Sequence, residues 1–120
     1  MTEAALVLAV VAVGWASCVR TSSGSNPLVV AGMDKEITTS CHVANRRCSH
    51  CHPVERLLRI NVRSPRAWTL YVDKMRAKSS SGIGRVDAER IKRCLIFRSF
   101  GRQGLGEAGL AAPEAEVQLP

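Results

Sequence analysis

Aromatic side chains are scarce in this 120-residue chain: two Trp, one Tyr and two Phe make up 4% of it. The apolar fraction of 46% is ordinary, so a core is expected, but a core poor in the side chains that bury the most area. A bound prosthetic group would supply the missing apolar bulk and help so short a chain hold a fold. Acidic residues are also in short supply. Ten Asp and Glu stand against 17 Lys and Arg, for a formal charge of +7. Between Arg46 and Arg102 the only carboxylates are Glu55, Asp73, Asp87 and Glu89. A surface this basic favours an acidic protein partner or an anionic membrane, through steering more than tight binding. Nucleic acid is not the expected partner, because zinc-finger spacing, RNA-recognition aromatics and a recognition helix are all missing. No nucleophile–base pair or carboxylate pair is arranged for work on a substrate, so the chain reads as a carrier and not as an enzyme.

Nor does any apolar run reach the length of a membrane span. Residues 4–16 (AALVLAVVAVGWA) are unbroken, but at about 1.5 Å per residue they cover roughly 20 Å of the ~30 Å hydrocarbon core. That length suits the apolar centre of an export signal, although Met1-Thr2-Glu3 lacks the usual positive charge. The run ends in Trp15-Ala16-Ser17-Cys18, which resembles a bacterial lipoprotein box and makes Cys18 a candidate for lipidation. The expected location is therefore the periplasm, released or membrane-anchored, with residues 1–20 as signal peptide or anchor. Residues 21–40 open on TSSGSN and read as a linker. Residues 101–120, rich in Gly, Ala, Pro and Glu, read as a disordered tail. This leaves residues 41–100 as the folded domain.

Within that domain the strongest helix signal is Ser64-Pro65: a serine able to cap and a proline at the first helical position, where its missing N–H costs nothing. The helix is expected to run to about Lys78, with Trp68, Tyr71, Val72 and Met75 on one stripe. SSSGIG at 79–84 breaks it. A second helix is expected over about 86–99, with Ile91, Cys94, Leu95 and Arg98 along one side and Gly101 as its stop. Leu57, Leu58, Ile60 and Val62 alternate with arginines, a pattern suited to wrapping an apolar ligand with the charges facing water. The fold class is all-α.

The chemistry centres on Cys48-Ser49-His50-Cys51-His52, the C-x-x-C-H spacing of haem attachment. On one turn of helix the two thiols share a face, and the next histidine can reach iron from the same side. Pro53 ends any helix near His52. His50 lies between the thiols and should point away. A zinc site is the competitor, because Cys41, Cys48, Cys51 and His52 make a tetrahedral Cys₃His set, though no second ligand pair stands downstream. A redox C-x-x-C is a further reading, without a βαβ context. Cys41 can pair with Cys18 or Cys94 or stay free, and Cys94 suits a small buried apolar position.

Residues 48 to about 97 resemble a small monohaem c-type cytochrome of the class I-like, all-helical kind. The likeness rests on C-S-H-C-H-P followed by S-P-x-x-W-x-x-x-V-x-x-M, here Cys48, Cys51, His52, Ser64, Pro65, Trp68, Val72 and Met75. It implies a helical domain wrapped around one haem c, bound covalently through Cys48 and Cys51. It implies His52 as proximal ligand and Met75 as distal ligand; Trp68 has two compatible readings, packing at the haem edge and ordinary core. His42 is the alternative distal ligand, and Met75 the alternative core filler. Such a protein carries single electrons between redox partners, which here would dock through acidic surfaces. One departure is visible: Arg93-Cys94-Leu95 stands where the family's last helix usually carries an aromatic-Leu pair.

Overall fold

The computed structural model describes residues 24–111, so the apolar run at 4–16 and Cys18 lie outside the described residues. Among the described residues there are four helices, α1 Lys35–Cys48, α2 Glu55–Leu58, α3 Pro65–Arg76 and α4 Arg85–Glu107, and no strand. None of these helices is long and apolar enough to cross a membrane.

Each long helix starts for a local reason. Asp34 caps α1, its carboxylate accepting from the Ile37 N–H at 2.8 Å. Glu36 lies in the first turn and Arg46 and Arg47 in the last, the order that suits the helix dipole. Ser64 caps α3, accepting from the Ala67 N–H at 3.2 Å with Pro65 beside it. Gly84 begins α4 without a side-chain cap. At Gly101 the backbone takes φ +66°, which any residue with a Cβ adopts only under strain, and the chain then resumes one more helical stretch.

α4 is the organising element. α1 and α3 each pack on it, and no packing between α1 and α3 is present. The buried faces of the two lateral helices supply Ile37, Cys41, Ala44, Trp68 and Val72, which meet Ile91, Cys94, Leu95 and Ile96 of α4 in one cluster. A disulfide joins Cys41 to Cys94 across the α1–α4 contact. Arg47 binds Asp87 at 2.6 Å, Arg93 binds Glu36 at 2.7 Å and Arg102 binds Asp34 at 2.5 Å. These pairs match the end of α1 to the start of α4 and the start of α1 to its later turns, so the helices run antiparallel. On the other side Lys92, almost fully buried, bridges Asp73 of α3 at 2.9 Å and Glu89 at 3.0 Å.

Both expected domain boundaries need correcting. Residues 21–40 are not a linker throughout: Leu28 is fully buried, Asn26 donates to the Cys41 carbonyl and α1 begins at Lys35. Nor does the fold end at 100, since Leu105 is buried and the Leu110 N–H donates to the Leu105 carbonyl. Residues 112–120 lie outside the described residues.

Candidate functional site

A pocket lies between the end of α1 and the facing side of α3. Its walls bring together Cys48, Cys51 and His52 with Met75, the four residues on which the resemblance turns. Leu57, Tyr71 and Ile83 add apolar surface, Arg47 and Lys78 stand at the polar edge, and Ser80 and Ser81 close it from the 77–84 loop. The pocket holds about 100 Å³.

The motif folds less regularly than one helical turn. Cys48 is the last residue of α1, and the chain leaves the helix through turns in which Ser49 donates to the Asn45 carbonyl and His50 to that of Arg47. Cys51 therefore lies outside the helix and is exposed, while Cys48 is half-buried. Both carry free thiols. Burial, and after it the neighbouring Cys51, pushes the Cys48 thiol up to about 11, so it holds its proton at neutral pH. His50 is exposed and does not line the pocket.

The His52 ring is held by its Nδ1, 3.2 Å from the Pro53 carbonyl oxygen. A carbonyl can only accept, so in the neutral ring this contact favours the proton on Nδ1 and the lone pair on Nε2, the tautomer a metal-bound histidine needs. Met75 is half-buried on α3, one turn beyond Tyr71. Trp68 is not brought to the pocket. Its ring is in the core, its Nε1 donates to Ser99 Oγ at 2.8 Å, and Tyr71 packs edge-on against it at 5.7 Å, taking the place at the wall. His42 is exposed on α1 and is likewise absent from the pocket.

Cys41 is covalently bound to Cys94, so it is removed from the Cys41, Cys48, Cys51 and His52 zinc set and Cys94 is no lone buried thiol. Among the described residues no three His, Cys, Asp or Glu side chains gather as a metal cage. A haem makes a smaller demand, since its ring nitrogens fill four positions and the protein supplies only the axial ones.

The residues present fit a c-type haem by their chemistry: two free thiols at the attachment spacing, a histidine with Nε2 available, a thioether across the pocket and apolar walls. The volume is well below the ~300–1,000 Å³ of ligand sites, so seating a macrocycle requires the walls to part. The 77–84 loop forms one of these walls. It is held mainly by Ser81, which donates to the Arg76 carbonyl at 3.0 Å and accepts from the Ile83 N–H at 3.2 Å.

Leu57 belongs to the stretch that the sequence marks as suited to wrapping an apolar ligand, whereas Tyr71 and Ile83 are not among the site residues read from it. The helical period placed Tyr71 between Trp68 and Met75 but not which of the two aromatics reaches the wall. No family model, curated protein or solved structure matches the chain.

Proposed function

We propose that this protein is an electron carrier built around one covalently attached c-type haem. The observation that carries the reading is the convergence of Cys48, Cys51, His52 and Met75 on one pocket, although 23 residues of chain separate His52 from Met75. Cys48 and Cys51 would anchor the group, His52 Nε2 and Met75 Sδ would hold its iron, and the group itself would supply one-electron iron chemistry. Leu57, Tyr71 and Ile83 would exclude water from one side of it. The contact of its Nδ1 with the Pro53 carbonyl supports the tautomer in which His52 would ligate.

A disulfide at Cys41–Cys94 suits an oxidising compartment, which supports export to the periplasm. Exposed Lys74, Arg76 and Lys78 carry positive charge along the end of α3 to the pocket mouth, which supports docking to an acidic redox partner.

The test is expression of the full chain beside a c-type maturation system, followed by a denatured mass and a reduced spectrum. A mass increase of one haem, lost in a Cys48→Ala/Cys51→Ala variant, is expected. Colourless protein of unmodified mass, or one loaded with zinc, overturns the proposal.

A further inference from the structure

Both cysteines of the Cys41–Cys94 disulfide are fully buried, and part of what packs against them is not helix. Residues 26–33, which precede α1, cross the junction of α1 and α4 beside this bond. On the α1 side Asn26 Nδ2 donates to the Cys41 carbonyl at 2.9 Å, and Met33 Sδ rests 3.9 Å from Cys41 Sγ. On the α4 side Arg98, one turn beyond Cys94, donates from Nη1 to the Leu28 carbonyl at 3.2 Å. Between these anchors Leu28 is itself fully buried in the core cluster.

The segment is held at its anchors more than along its length. Its backbone makes one bond of its own, from the Val29 N–H to the Asn26 carbonyl at 3.0 Å. Asn26 Oδ1 accepts from the Leu28 N–H at 3.0 Å, and the Val30 N–H donates to Met33 Sδ at 3.5 Å, which sets the thioether against the disulfide sulfur. A helix opens only by breaking a run of backbone bonds. This segment can lift by releasing two side-chain anchors and withdrawing Leu28 and Met33, with α1 and α4 still packed. A disulfide is cleaved by a thiolate that reaches one of its sulfurs, so access to Cys41 Sγ decides how fast the bond is lost.

We propose that residues 26–33 are a strap over the Cys41–Cys94 disulfide, and that local opening of this strap sets the rate at which the bond is reduced. The reductant is a dithiol. Its thiolate attacks one sulfur and releases the other cysteine as a thiolate, and its second thiol then displaces the first. One protein disulfide is thereby exchanged for one disulfide of the reductant. Cys51 is exposed and Cys48 half-buried, and the pocket they line includes no residue of the strap. The same reductant therefore keeps that pair as thiols while the closed strap spares Cys41–Cys94. The strap does not depend on the haem reading.

The test is reduction of the full chain by dithiothreitol, quenched with iodoacetamide at intervals, with the Cys41 and Cys94 peptides followed by mass spectrometry. Asn26→Ala and Arg98→Met each release one anchor and are expected to speed reduction by about two- to tenfold, the equivalent of one hydrogen bond. Met33→Ala is expected to act in the same direction. Trp68→Phe, which loses one bond of the same kind on α3, is expected to leave the rate unchanged. A rate that rises in Trp68→Phe as much as in the strap variants puts reduction behind global unfolding and overturns the proposal. Strap variants that are reduced no faster than the unsubstituted chain overturn it as well.

Discussion

Cys48 and Cys51 are three residues apart, yet their surroundings differ enough to give them different chemistry. Cys51 is exposed, while Cys48 is half-buried at the end of α1 and its thiol is pushed up to about 11. In the haem-free chain iodoacetamide should modify Cys51 first, and Cys48 should stay slow through pH 9 and accelerate only towards 11. Mass spectrometry of the peptides reports each site, and equal rates at pH 8 would contradict the burial. The same proton is held more tightly by the folded than by the unfolded chain. Its contribution to stability is therefore complete below about pH 9 and lost as pH rises through about 11. Met75 and Trp68 separate by the same kind of reasoning. On the proposed function, Met75→Ala should leave a haem attached and lower its reduction potential, because a Met/His pair raises it, and a redox titration that shows no change assigns Met75 to the wall alone. Trp68→Phe should cost about 0.5–1.5 kcal/mol through the lost bond to Ser99 and leave the haem spectrum unaltered. At this scale the sequence is readable where chemistry is local. Cys48, Cys51 and His52 are neighbours in the chain and can be found as a word, whereas the partner of Cys41 lies 53 residues away and is fixed only by packing.

Helix α4 carries the fold, and its two neighbours are attached by different means. α1 is tied covalently at Cys41–Cys94, closing a loop of 53 residues, for which chain-entropy arguments give about 4 kcal/mol. A Cys41→Ser/Cys94→Ser variant should therefore lose roughly 2–4 kcal/mol in a denaturant melt, and a midpoint that does not move would show the crosslink to be redundant with the packing. α3 is attached by Trp68, Val72 and the Lys92 pair with Asp73 and Glu89. Burial alone would lower the Lys92 pKa, but its bonds to Asp73 and Glu89 more than compensate and it stands raised, charged throughout the neutral range. Ser64-Pro65 announces α3 because both residues act at the terminus they mark. α1 is not legible in the same way, since its first turns are polar and only Ile37, Ser40, Cys41, Val43 and Ala44 reach the core. Gly101 marks the point where regular helix stops, but the helical stretch beyond it depends on a close approach. A Cβ on Gly104 would come within 2.4 Å of Phe100 Cβ, so that glycine permits the extra turn that buries Leu105.

For the whole molecule, the few carboxylates are spent on internal joints. Asp34, Glu36, Asp73, Asp87 and Glu89 each bind a described Lys or Arg, leaving Glu55 and Glu107 as the described acids outside any ion pair. The scarcity visible in composition thus leaves most of the described Lys and Arg side chains without a paired carboxylate. On the proposed function, association with an acidic redox partner should slow as ionic strength rises from 10 to 200 mM in stopped-flow mixing, where the Debye length falls from about 30 Å to under 8 Å. A rate indifferent to salt removes the steering role. The Cys41–Cys94 bond has a last consequence, for biogenesis. Four described cysteines can be joined in three ways, and the proposed function needs one pair oxidised and the other kept reduced until it is alkylated by the haem vinyls. Oxidants that reach an exported chain do not read sequence. The sorting must come from folding order, with α1 laid on α4 early enough to hide Cys41 and Cys94 together, while Cys48 and Cys51 remain reachable by a reductant and by the attachment machinery. Maturation yield should then depend on how fast two helices meet, a demand that the pocket itself never imposes.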